Sequence, residues 1–276
     1  MRRAFAVLVC GLICAPGLLW GAPQKEPDQA MLEFMRQEVE RAKSTIATSD
    51  PDPILDDPYQ VSALYYSDSY FEKLQASKLK KRNKSAPTPQ DEIVLAIKPL
   101  LLPEVENRYL GHLRELFAEA TDGGKGEALV APLDNYGFRK CSSRCHGDAI
   151  DLFTDEGSLV RTMASGVVVL AEDDWQPDRP FATVSQKGGN EVIIFNPETN
   201  RFYRYCHLDM VFVEARDIIP AGVAIGTVGH SGKNASVKGH GQHLHLEINQ
   251  VNPSTGSRSS LSRKALTQLL KKIRRN

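Results

Sequence analysis

Four short runs of β-branched and aromatic residues, separated by turn signals, constrain the second half of this chain most tightly. They are Val167-Val168-Val169-Leu170, Val192-Ile193-Ile194-Phe195, Phe202-Tyr203-Arg204-Tyr205 and His243-Leu244-His245-Leu246. Gly188-Gly189-Asn190, Asn196-Pro197 and Ser231-Gly232 punctuate them. Many short strands with such spacing predict a mainly β fold, an antiparallel sheet in a sandwich or barrel-like arrangement, over residues 126–252.

The flanks read differently. Met31, Met35, Val39, Ala42 and Ile46 recur every three to four residues, which predicts an amphipathic helix over 28–48 that ends at Pro51 and Pro53. Residues 60–66 suit a short strand, and 78–84 a solvated basic linker. Leu110, Leu113, Leu116, Phe117 and Ala120 predict a second helix over 104–120, and the glycines of 121–126 a hinge. A smaller, mostly helical region, 22–125, is thus expected before the β domain, its role open. At the other end Leu266, Leu269, Leu270 and Ile273 predict a short helix within 253–276. Seven lysines and arginines and no acid follow from Thr255 onward. The expected arrangement has the apolar side on the β domain and the cations in solvent.

Met1-Arg2-Arg3 followed by an uncharged, mostly apolar run to Trp20 and small residues at Gly21-Ala22 is the pattern of a secretory leader over 1–21. The expectation is an exported protein, periplasmic or secreted, with no stable membrane insertion after cleavage. The whole chain carries 34 basic and 34 acidic side chains. That balance argues against bulk binding to nucleic acid or to an anionic membrane. Of the five cysteines, Cys141, Cys145 and Cys206 lie beyond the leader. In an oxidising compartment they allow one disulfide and leave one thiol over.

The chemistry concentrates where the histidines do. Six of the seven fall between His146 and His245. His243-Leu244-His245 on a strand sends both imidazoles to one face and Leu244 and Leu246 to the other. Upstream, His146 is followed by Asp151. A histidine, a carboxylate and a later histidine are three zinc donors that leave a fourth position open, the catalytic rather than the structural arrangement. His112, His230 and His240 read as surface or packing histidines.

From about Ala131 to Ile248 the chain resembles the lysostaphin/LytM-type zinc endopeptidases, which cleave the peptide part of bacterial peptidoglycan. The resemblance rests on His146 to Asp151 with the following Gly157 to Gly166, on Tyr205-Cys206-His207-Leu208, on the glycine-punctuated run Ala221 to Gly229, and on His243-Leu244-His245-Leu246-Glu247. It implies Zn2+ as cofactor, held by His146, Asp151 and His245, with His207 and His243 as non-ligand histidines. His243 is then the expected general base and His207 the expected stabiliser of the developing oxyanion. Glu247 is a candidate partner for His245, a solvated strand residue being the alternative. Peptidoglycan is the implied partner; the bond cleaved and the oligomeric state stay open.

One spacing departs from the pattern. His146 and Asp151 are five apart where four is usual, so a β-bulge at Gly147 is needed to bring them to one face, and Asp148 competes with Asp151. The segment 172–187 reads as a loop that lines a groove or simply stands in solvent. Because Cys145 and Cys206 each directly precede a site histidine, alternation would turn both thiols away from the metal and toward each other. A Cys145–Cys206 bridge is therefore expected, with Cys141–Cys145 and Cys141–Cys206 as alternatives. Two rival readings remain: a related domain that binds cell wall or activates another hydrolase without catalysing, and a structural zinc or haem site built from the cysteines, His146 and His207.

Overall fold

The computed structural model describes residues 29–48, 50–79, 87–121, 129–138, 148–179, 183–239 and 242–274. The expected leader, Cys141, Cys145, His146, Gly147, His240 and most of the expected hinge and basic linker lie outside them. The chain divides into two units, Met1–Phe34 and Met35–Asn276. Of the first, only the opening turns of helix α1 (Gln29–Ile46) are described; the second carries everything that follows.

Among the described residues ten strands form one sheet: β1 (Gly137–Phe138), β2 (Ile150–Phe153), β3 (Leu159–Arg161), β4 (Gly166–Glu172), β5 (Asn190–Asn196), β6 (Arg201–Val211), β7 (Ile218–Ile219), β8 (Ala224–Val228), β9 (His243–Val251) and β10 (Arg258–Ser260). The main path runs β1-β2-β9-β6-β5-β4-β7, every pairing antiparallel; β10 adds to β9, and β8 joins β6 to β3. The mainly β, antiparallel fold expected for residues 126–252 is present, and among the described residues the end strands β1 and β7 do not pair, so the sheet is not closed.

Period-two alternation divides the two faces of the sheet. Ile150, Leu152, Val192, Ile194, Tyr203, Tyr205, Leu244, Leu246 and Ile248 point to one side. There Val160 of β3, Ile225 and Val228 of β8 and Leu266 and Leu270 of the C-terminal helix α7 (Arg263–Ile273) close the hydrophobic core. Ser262 caps α7 by accepting from the Ala265 N–H, and Lys264, Lys271 and Lys272 stay exposed. Arg274 lies over the Tyr136 ring at 3.7 Å and donates to the Tyr136 carbonyl at 2.8 Å, tying the end of the helix to the β domain.

The opposite face is polar along the middle of the sheet and is covered by helices. After α1 come α2 (Asp52–Leu55), α3 (Pro58–Tyr65), α4 (Asp68–Leu79), α5 (Pro89–Ile97) with a 3₁₀ turn at Lys98–Leu100, and α6 (Pro103–Thr121). Of residues 60–66, expected as a strand, 60–65 belong to α3 and Tyr66 is its C-cap. Pro58 sits at its first turn, and buried Asp57 caps it by accepting from the Tyr59 and Gln60 N–H groups. The misreading has a physical cause. Every residue from Tyr59 to Tyr65 is buried, so the segment shows no one-sided apolar stripe.

These helices are locked to the strand end of the fold by polar contacts. Asn249 of β9 donates to the Tyr65 carbonyl at 3.0 Å. Arg258 of β10, its side chain 1% exposed, reaches Glu106 of α6 at 3.0 Å, and Lys98 meets the other Glu106 oxygen at 2.6 Å. Arg258→Ala would leave Glu106 with one cation and open a gap beside it. The expected loss is about 3 kcal/mol or more, the cost of breaking a buried pair, read as a shift in urea midpoint at constant slope.

Candidate active site

Three central strands bring the site residues together. Asp151 of β2 pairs directly with His245 of β9, and His245 pairs in turn with Cys206 of β6; Phe153 pairs with His243 and Arg204 with Glu247. Directly paired residues share a face. Asp151, His243, His245, Glu247, Arg204 and Cys206 therefore all face the helices. They line a cavity of about 460 Å³, with Tyr66, Tyr70 and Lys73 on the helical side.

His207 joins them by breaking the alternation. Between β5 and β6 the register runs Glu191↔Cys206 and then Asn190↔Leu208, so His207 is an extra residue, and its φ is +65°. This is a β-bulge with a histidine in the left-handed region, a conformation that costs about 1–3 kcal/mol and is held by its surroundings. His207 N–H donates to the Gly188 carbonyl, and the Gly229 N–H to the His207 carbonyl, both at 2.9 Å. The bulge that the sequence places at Gly147 lies outside the described residues; the one in the site is at His207.

The same bulge corrects the cysteine expectation. Cys206 and His207, though consecutive, both line the cavity. The Cys206 thiol is free and buried, 3.3 Å from the Glu191 carboxylate, and not turned toward the back of the sheet. Burial first, then the carboxylates around it, push this thiol well above its ordinary pKa. The expected Cys145–Cys206 bridge is thus not formed, and with Cys206 free the Cys141–Cys206 alternative falls as well.

The turns flanking His207 touch each other. Gly189, at φ +69°, lies so close to Ser231 and Gly232 that a Cβ would overlap their backbone. Gly189→Ala should therefore cost about 2 kcal/mol or more through strain and overlap, and should lower activity by displacing His207. Chemical unfolding alongside a turnover assay reads both effects.

The imidazoles lie close together. His207 is 4.8 Å from His243 and 5.6 Å from His245, ring centre to ring centre. His243 lies against Phe153, with ring centres 5.1 Å apart, and its Nε2 is 3.8 Å from Asp151 Oδ1. His245 is held at both nitrogens: Nδ1 lies 2.8 Å from Asp151 Oδ1 and Nε2 2.9 Å from Glu247 Oε1. Burial opposes the His245 imidazolium, but the two carboxylates outweigh it and lift the group to about 9. His207 behaves oppositely. Burial, then the two neighbouring imidazoles, hold it well below the usual histidine range, so it is neutral at pH 7. Its Nδ1 is 2.8 Å from the Ser231 carbonyl oxygen, which can only accept; the proton is therefore on Nδ1 and Nε2 carries a lone pair.

Behind these groups lies a buried ionic cluster that the sequence reading missed. Arg204 binds Glu191 through Nε at 2.8 Å and again through Nη2, reaches Ser185 at 2.9 Å, and meets Glu247 at 3.3 Å. The alternation of Arg204, Cys206 and Glu247 with apolar neighbours was the available signal. Of the competing carboxylates, Asp148 pairs with Lys73 at 2.8 Å and Asp151 meets the histidines. His230, exposed, meets Glu156 at 2.7 Å. From the 172–187 segment, Ser185, Gln186 and Lys187 line the cavity.

Asp151 and His245 are donors of the kinds zinc takes, and they already face each other across 2.8 Å. No group of three or more His, Cys, Asp or Glu side chains able to hold a metal occurs among the described residues. His146, the third expected donor, lies outside them. No helix among the described residues is long and apolar enough to cross a membrane.

Residues 146–257 match the sequence profile of Peptidase family M23. No curated protein matches the chain. Among solved structures, the antimicrobial peptidase lysostaphin from Staphylococcus simulans is 21% identical over 54% of this chain and 50% of its own, with a TM-score of 0.34. A zinc-containing peptidase from Vibrio cholerae is 23% identical over 45% and 37%, with a TM-score of 0.34. A LytM-type protein from Ruminococcus gnavus is 17% identical over 87% and 88%, with a TM-score of 0.40. This chain spans about half the length of that lysostaphin chain.

Proposed function

We propose that the Peptidase family M23 domain at residues 146–257 makes this chain an exported zinc-dependent endopeptidase, which hydrolyses peptide bonds in peptidoglycan stem peptides or cross-links. The observation that carries the reading is the set of three buried imidazoles and one carboxylate, His207, His243, His245 and Asp151, converging on one cavity. Export is supported by the basic and then apolar start of the chain.

Asp151 and His245, with His146, would hold the metal. Bound there, zinc would polarise a scissile carbonyl and acidify a water. The remaining work falls to this chain's side chains. His245 keeps its Nε2–H on Glu247 and turns Nδ1 toward Asp151, so the two donors act from one side of the site. His207 and His243 flank that side without belonging to the pair. The Ser231 contact bears on how they divide the work. Neutral His207 presents a bare Nε2 and can accept the proton of an attacking water, a role the sequence assigns to His243. Stabilising an oxyanion at Nε2 needs the imidazolium, which the surroundings of His207 oppose. We therefore place His207 as the proton acceptor and His243, beside it, as the group nearer the developing charge. Tyr66, Tyr70 and Lys73 wall the cavity from the helical side and limit which peptides enter.

The test is digestion of purified peptidoglycan by the full chain with zinc, with fragments identified by mass spectrometry. Stem-peptide or cross-link cleavage is expected, and a chelator should abolish it until zinc is restored. Tight wall binding without any released fragment would overturn the catalytic reading in favour of a binding domain.

A further inference from the structure

Tyr65 belongs to the helical region, yet it reaches the centre of the site. Its hydroxyl, fully buried, donates to Glu247 Oε2 at 2.8 Å, while Glu247 Oε1 faces His245 Nε2 at 2.9 Å. Arg204 adds a second contact to the same Glu247 oxygen at 3.3 Å. The position of Tyr65 is itself well determined. Its carbonyl accepts from Asn249, its ring meets Phe202 edge-on at 5.9 Å, and the Arg204 guanidinium lies 5.7 Å from its ring centre. Nothing in the sequence pattern links residue 65 to the histidine motif 180 residues later.

Glu247 is a two-atom clamp. One oxygen accepts from His245 Nε2, so Nδ1, directed at Asp151, is the nitrogen that would give up its proton to a metal, in the Nε2–H tautomer. A carboxylate does this only if its own rotation is stopped, and the Tyr65 hydroxyl stops it from the side opposite the histidine. We propose that Tyr65 is a positioning residue for the metal donors: through Glu247 it fixes the tautomer and orientation of His245, so the helical region is an integral part of the zinc site and not a detachable cover. This rests on the zinc-peptidase reading above.

Partners that orient a metal-binding histidine typically change metal affinity 10- to 100-fold when removed. The experiment measures zinc dissociation constants of the full chain by competition with a chelating dye, alongside thermal unfolding, for wild type, Tyr65→Phe, Glu247→Gln and Tyr109→Phe. The buried Tyr109 hydroxyl has no hydrogen-bond partner among the described residues and lies outside the site, so it is the control for simply losing such a group. Tyr65→Phe should weaken zinc binding about 10-fold. Glu247→Gln should weaken it at least as much, and Tyr109→Phe should leave it unchanged. Wild-type zinc affinity in folded Tyr65→Phe overturns the proposal, as does an equal loss in Tyr109→Phe. If Tyr65→Phe fails to fold, unchanged affinity in Glu247→Gln overturns it instead. A wild-type chain that takes up no zinc and releases no fragments refutes the zinc-peptidase reading, and the proposal falls with it. Tight wild-type binding matched by Tyr65→Phe refutes the proposal alone.

Discussion

His245→Ala should abolish both zinc uptake and hydrolysis, whereas His243→Ala should abolish hydrolysis and leave zinc bound. The two residues are two apart on β9 and share its polar face, so sequence spacing does not separate their roles. Their contacts do. His245 lies 2.8 Å from Asp151, which His243 also faces, and its far nitrogen is anchored by Glu247. His243 is 3.8 Å from that carboxylate and rests on the Phe153 ring. Removing His245 deletes a donor and the nearer of the two imidazoles that face Asp151. Removing His243 deletes a group that meets the reacting atoms, and the expected loss is about 10²–10³-fold in kcat, the usual cost of losing one group that stabilises developing charge. Metal content by mass spectrometry and turnover on the same samples decide the matter. Metal loss in His243→Ala would show the two assignments to be reversed.

The largest stability effect is expected at Arg204. Its guanidinium is buried between Glu191 and Glu247, with Ser185 taking a further N–H, and its side chain is 6% exposed against 1% for Glu191. Arg204→Leu would take the counter-charge from buried Glu191 and leave half-buried Glu247 with His245 alone of its two cationic neighbours. Breaking a buried ion pair from one side costs about 3–5 kcal/mol, a large share of the stability of an ordinary domain. Arg204→Lys should recover only part of it, because an ammonium cannot reproduce the fork that meets Glu191 through two nitrogens. Urea unfolding gives the difference. A cost below about 1 kcal/mol for Arg204→Leu would mean that the carboxylates are protonated or solvated in the folded protein and that Arg204 is not their counter-ion.

The strands at 201–211 and 243–251 were readable from apolar and polar residues that alternate, and those at 166–172 and 190–196 from short unbroken apolar runs buried on both faces. Helices α1, α6 and α7 were readable for the corresponding reason at a period of 3.6. Helices α4 and α5 carry no such stripe and went unnoticed, and α3, buried all round, was mistaken for a strand. That His243 and His245 share a face was legible from local alternation, whereas Asp151 was singled out over Asp148 by the family resemblance.

Contacts between distant segments could not be read the same way. The bulge at His207 arises where the Gly188-Gly189 turn meets Ser231-Gly232, and that meeting places Cys206 on the site face as well, against what strict alternation predicts. Tyr65 reaches Glu247 only because α3 is laid across the sheet, and Asp148 stands outside the cavity lining, paired with exposed Lys73 of α4. Periodicity is a property of neighbours along the chain, so it reports which face a residue lies on. Which groups then touch depends on long-range packing, where a bulge of one residue or the placement of one helix changes every partner at once.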